Sequence, residues 1–71
     1  MAVIKTLSER ERIGQKIAAM RQGAGLSQAE LGKKCGLERF HISRIESGRH
    51  SVGLDTLATI ARALGKTLDF V

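Results

Sequence analysis

Proline, tryptophan and tyrosine are absent from this chain, cysteine occurs once, and two phenylalanines are its whole aromatic complement. With 42% hydrophobic and only 3% aromatic residues, the core must be aliphatic, and helices packed through Leu, Ile and Ala are its natural form. A lone cysteine closes no internal disulfide, which suits a reducing compartment. Acidic residues are also scarce: 7 Asp and Glu against 12 Lys and Arg leave a net charge of +5. That balance favours a polyanionic partner without naming it. No run is long and apolar enough for a signal-peptide core or a membrane span, so the expectation is a soluble, cytoplasmic protein with no membrane partner. At 71 residues the expected organisation is one domain over 1–71, small enough for self-association to help stabilise it.

The densest signal lies in residues 28–47, QAELGKKCGLERFHISRIES. Ser27 and Glu30 have the spacing of a capping box, in which hydroxyl and carboxylate satisfy two orphan amides, so a helix is expected from about Gln28. Leu31 and Cys35 share one face of it, Lys33 and Lys34 sit in its last turn as solvated cations, and Gly36 supplies a left-handed stop. A second helix follows from about Glu38 to Ser47, with Ile42 and Ile45 turned inward. Arg39, Phe40, Ser43, Arg44 and Ser47 fall on its other faces, which are rich in donors. Two short helices joined by a glycine turn form the helix-turn-helix geometry, whose second helix enters the DNA major groove.

The flanks read as support. Residues 1–7 show no sustained period and are expected to form a mobile arm. Ser8 and Glu11 repeat the capping box, and Ile13, Ile17 and Met20 give a first helix ending near Gln22, before the loop bracketed by Gly23 and Gly25. After the glycine-bounded loop 48–53, Leu54, Leu57, Ile60, Ala61 and Leu64 form the stripe of a last helix that Gly65 ends. The tail 66–71 is expected to be extended, in a pattern that suits a short C-terminal strand, the alternative being one last helical turn capped by Thr67.

The segments LSQAELGKKCGL, ISRIESG and LDTLATIARALG, within residues 13–68, resemble the Cro/C1 (Xre-type) family of phage repressors and bacterial regulators. The resemblance implies an all-α fold, a compact bundle of four to five short helices of the lambda-repressor-like type. It further implies that Arg39, Phe40 and Arg44 face base edges, where Arg pairs with guanine O6 and N7 and Phe packs on a thymine methyl. Ser43 would reach a base or a phosphate, Ser47 a phosphate, and Ser27 either a phosphate or nothing beyond its cap. Gln28 would donate to a phosphate while bracing the recognition helix, and Arg49 and His50 would hold DNA backbone from the following loop. An Arg and a Glu at the places of Arg21 and Glu46 pair in the family and tie the first helix to the third. The chain departs from the pattern at Gly32, where Ala is usual, at Glu38, where Ser or Thr caps the helix, and at Val52, where Pro is common; Glu38 is counted with the expected DNA-binding residues and bears on sequence preference more than on the fold.

Cys35, His41 and His50 lack the spacing of a metal site, and no nucleophile, base and orienting group form a set, so neither a metal nor a cofactor nor an enzymatic activity is expected. The leading expectation is a sequence-specific regulator of double-stranded DNA, most simply a homodimeric repressor on half-sites about 34 to 36 Å apart. Leu68, Phe70 and Val71 have little of their own chain to pack against and are the expected dimer surface. The alternative is an antitoxin, which some short chains of this type ending in an extended apolar tail resemble; it would bind a toxin protein away from the DNA site and repress its own operon.

Overall fold

The computed structural model describes residues 7–70. Among them are four helices and no strand: α1 Glu9–Gly23, α2 Gln28–Cys35, α3 Arg39–Glu46 and α4 Leu54–Ala63. The fold is all-α, at the four-helix end of the expected range. Both capping boxes form. Ser8 Oγ accepts from the Glu11 N–H and Ser27 Oγ from the Glu30 N–H, while each glutamate carboxylate accepts from the serine N–H in return. Gly36 ends α2 at φ 70°, a region costly for any residue with a β-carbon, and the Leu37 N–H then closes on the Gly32 carbonyl at 2.8 Å.

Each helix sends at least one aliphatic side chain to a common centre: Ile17 from α1, Leu31 from α2, Ile42 and Ile45 from α3, and Ile60 from α4. Leu31, Ile42 and Ile60 are fully buried, and burying a side chain of this size contributes about 1.5–3 kcal/mol. Cys35 packs against the edge of this core, where burial pushes its thiol pKa up and keeps it an inert apolar group. The α4 stripe is shorter than its sequence pattern. Leu54 is 74% exposed because it is the first residue of the helix and lies beyond the bundle's end.

Two glycines let backbones meet. A β-carbon at Gly14, inside α1, would lie 2.4 Å from the Ile45 carbonyl oxygen and 2.6 Å from that of Glu46. One at Gly32, inside α2, would lie 2.5 Å from the Leu37 carbonyl oxygen. The C-terminal end of α3 is therefore seated on α1, and the turn leading into α3 is seated on α2. Gly32 is more than a small residue in a crossing: the contact is with backbone, which cannot swing aside.

A buried ion pair locks the same arrangement. Arg21 Nε donates to Glu46 Oε2 at 2.6 Å and Nη2 to Oε1 at 3.1 Å, with the two side chains 11% and 7% exposed. Arg21 Nη1 also donates to the Leu26 carbonyl at 2.8 Å, and Gln28 Nε2 to Glu46 Oε1 at 3.0 Å. One carboxylate thus joins α1, α2 and α3. The hydrogen bond to Glu46 raises the Arg21 pKa further, against the opposing effect of burial.

Residues 66–70 are exposed and form neither helix nor strand; the expected strand has no partner strand to pair with among the described residues. Of the expected arm only Leu7 is described, and it is exposed; residues 1–6 and Val71 lie outside the described residues.

Glu46→Ala is expected to destabilise the chain by about 3–5 kcal/mol, mostly through the Arg21 charge left unpaired. Arg21→Met combined with Glu46→Leu should recover much of that loss. Thermal unfolding of the parent, the single variant and the double variant checks it, and equal melting temperatures for parent and Glu46→Ala would refute it.

Candidate nucleic-acid interface

With Ile42 and Ile45 buried and Glu46 tied inward, the remaining side chains of α3 have only one direction left. Arg39, Phe40 and Arg44 are exposed and Ser43 is half-buried between them and the core side. Phe40 is 50% exposed and stacks on His41 with ring centroids 4.5 Å apart, and His50 lies 6.2 Å beyond His41. Phe40 is thus braced against its neighbour while one face of the ring stays open. Arg39 and Arg44 form no ion pair among the described residues, so their guanidinium groups are available to an external acceptor.

The loop after α3 is held to the helix by one carbonyl. Arg44 O accepts from the Arg49 N–H at 3.0 Å and from Ser47 Oγ at 3.1 Å. Gly48 turns the chain at φ 75°, and its α-carbon faces Glu11 so closely that a β-carbon would lie 2.7 Å from the Glu11 Cγ. Arg49 and His50 are consequently exposed beside the C-terminal end of α3.

Proton donors on this surface are partly committed. The single Ser47 hydroxyl proton goes to Arg44 O, so a phosphate bond from it requires the hydroxyl to rotate. Ser27 uses its hydroxyl oxygen as an acceptor for the cap and keeps its proton to donate, which makes capping and a phosphate contact compatible. Gln28 spends one amide N–H on Glu46 and retains the other. The exposed Ser27 at the N-terminus of α2 and the exposed Lys33 and Lys34 of its last turn extend the polar surface beyond α3. No group of three or more His, Cys, Asp or Glu gathers as a metal site among the described residues.

Three contributors to the site escape a reading by pattern. Gly14 and Gly48 seat α3 and its loop on α1, and the Leu26 carbonyl completes the Arg21 shell. By pattern Gly14 is only a tolerated glycine inside a helical period, at a cost of about 1 kcal/mol against alanine. His41 joins no metal site by spacing; it is half-buried and stacks on Phe40.

The HTH_3 helix-turn-helix family model matches residues 17–71 of the chain, a span that contains the whole of α2, the turn and α3. The chain belongs to this helix-turn-helix family, of Cro/C1 (Xre) type. Two family relatives are the immunity repressor protein of Bacillus phage phi105, 40% identical over 75% of this chain, and the control protein C.BamHI of Bacillus amyloliquefaciens, 42% identical over 73%. The aligned stretch spans 37% of the phage repressor and 65% of C.BamHI, so this chain corresponds to part of those relatives. The crystal structure of the restriction-modification controller protein C.AhdI from Aeromonas hydrophila superposes with a TM-score of 0.80 at 30% identity, covering 84% of this chain and 91% of that one. The Cro/C1-type chain here thus shares the backbone frame of that controller protein over nearly its full length.

The α2 cap of this helix-turn-helix protein titrates in a definite direction. The Ser27 N–H bond, then the Ser27 hydroxyl, hold the Glu30 carboxyl below the usual carboxylate range. A depressed folded pKa means that the cap's contribution is present above the ordinary value of about 4.3 and is lost as pH falls through the depressed one. The Ser27 amide resonance should therefore titrate with a midpoint below that of an ordinary glutamate. Glu30→Gln should abolish that titration; a midpoint at or above the ordinary value would contradict it.

Proposed function

We propose that this chain is a sequence-specific double-stranded DNA-binding protein that acts as a homodimeric transcriptional repressor. The observation that carries the reading is the outward surface of α3. Two arginines without an ion-pair partner among the described residues and a braced, half-exposed Phe40 lie on a helix whose backbone is fixed at both ends and whose inner face is fully used by the core. Arg39 and Arg44 supply bidentate donors for guanine, and Phe40 an apolar face for a thymine methyl. Ser43 serves a base or a phosphate, while Ser27, Gln28, Ser47, Arg49 and His50 hold the sugar-phosphate backbone on either side. The +5 charge supports the same partner, and a cytoplasmic location is consistent with binding DNA. No helix among the described residues is long and apolar enough to cross a membrane. The reading assigns the chain no enzymatic role.

A dimer follows from the short reach of one recognition helix. A shallow apolar groove of about 160 Å³ between α1 and α4 is lined by Ile17, Met20, Leu57, Leu64 and Leu68, and beyond it Phe70 is fully exposed. Leu68 has more of its own chain to rest on than its position suggests, so Phe70 is the stronger candidate for a contact across the dyad. Val71 is kept in that surface by its place in the sequence alone. The antitoxin alternative uses the same exposed tail for a toxin protein.

Arg39→Ala and Arg44→Ala are each expected to relax discrimination at one base pair by about 1–3 kcal/mol, and Arg49→Ala to weaken all sequences alike. Binding of the parent and variants to a set of single-base operator variants at fixed salt checks this. A uniform loss for Arg39→Ala and Arg49→Ala alike would refute the assignment.

Deleting residues 68–71 is expected to leave a folded chain that sediments as a monomer and binds a palindromic site more weakly. Unchanged binding by the truncated chain would remove this interface.

A further inference from the structure

Glu38 stands at the N-cap of α3, where α1 has Ser8 and α2 has Ser27. Those serines bond the backbone of their own first turns. The Glu38 side chain makes no cap hydrogen bond and no ion pair among the described residues, and it is exposed. Its backbone is fixed. The Glu38 carbonyl accepts from the His41 and Ile42 N–H groups at 3.0 and 3.3 Å, and the Leu37–Glu38 link rests on Gly32 of α2. A fixed backbone thus carries a free carboxylate at the end of the recognition helix from which base edges are contacted.

The chemistry of that carboxylate narrows what it meets. Ionised, it only accepts hydrogen bonds, and phosphates repel it. In the major groove guanine offers the acceptors N7 and O6 and thymine the acceptor O4, so both are disfavoured beside it. Adenine presents its N6 donor next to the N7 acceptor, whereas cytosine presents the N4 donor alone. We infer that Glu38 is a specificity-determining residue that selects cytosine at one position of the half-site by accepting from its N4 amino group. This rests on the DNA-binding reading above and adds to it a negative selection that the arginines do not supply.

The test is selection of bound sequences from a random duplex pool with the parent, Glu38→Gln and Glu38→Ala, with salt and protein concentration held equal. The parent should enrich cytosine at one position. Glu38→Gln, whose amide both donates and accepts, should move that position to adenine through N6 and N7 and leave the others alone. Glu38→Ala should flatten it, a loss of about tenfold in preference. Both variants should melt with the parent, because the carboxylate caps nothing. If all three proteins enrich the same base at every position, with the variants binding every sequence more tightly, Glu38 is only a repulsive charge and the inference is overturned while DNA binding stands. A parent that enriches sequences without any cytosine-specific position overturns it equally. A parent that enriches no sequence overturns the DNA-binding reading and this inference together.

Discussion

The Glu46 carboxylate is the point on which three helices converge. It takes two bonds from Arg21 of α1 and one from Gln28 of α2, and it belongs to α3. A buried ion pair of this kind adds little net stability compared with a well-packed apolar substitute. Its value lies in direction. Apolar contacts among Ile17, Leu31, Ile42 and Ile45 tolerate small slides and rotations, whereas a guanidinium fork on a carboxylate does not. The register of α3 about its own axis, which decides which side chains face outward, is set by that fork.

Backbone contacts set the remaining degrees of freedom. Gly14 brings α1 against the last turn of α3, and Gly32 brings α2 against the turn before it. Each glycine sacrifices about 1 kcal/mol of helix propensity. In return the depth of α3 in the bundle is fixed at both ends by atoms that no rotamer change can move. The outward residues of α3 are then free of any structural duty except Phe40, which stacks on His41.

Much of this was legible from local chemistry. The Ser27–Glu30 spacing and Gly36 mark both ends of α2, because capping and a left-handed stop are decided within a few residues. The start of α3 was less plain, since Glu38 resembles no cap; the helix begins there because the turn is seated on Gly32. Leu54 follows the apolar period yet lies outside the core, for a period reports a face and says nothing of where the bundle ends. Likewise Gly14 reads as a weak helix residue until α3 is laid across it. Arg21 and Glu46 lie 25 residues apart, and no spacing rule connects them; the resemblance to a family supplied the pair, and the fold brings the two side chains to 2.6 Å. Recognition side chains are the least legible of all, because an exposed arginine looks the same whether it meets water or a base.

The brevity of α3 has a practical consequence. Eight residues with two buried isoleucines cannot hold a helix in water by themselves, since nucleation costs more than so few bonds return. A synthetic peptide copying this segment would be a coil, and grafting it onto another scaffold would carry over the letters without their alignment. Any effort to retarget the protein must keep α1, the strut that bears Gly14 and Arg21, and confine its edits to the outward positions. The smallest transferable unit is the four-helix frame, whose shared core includes Ile60 of α4, and not α3 alone.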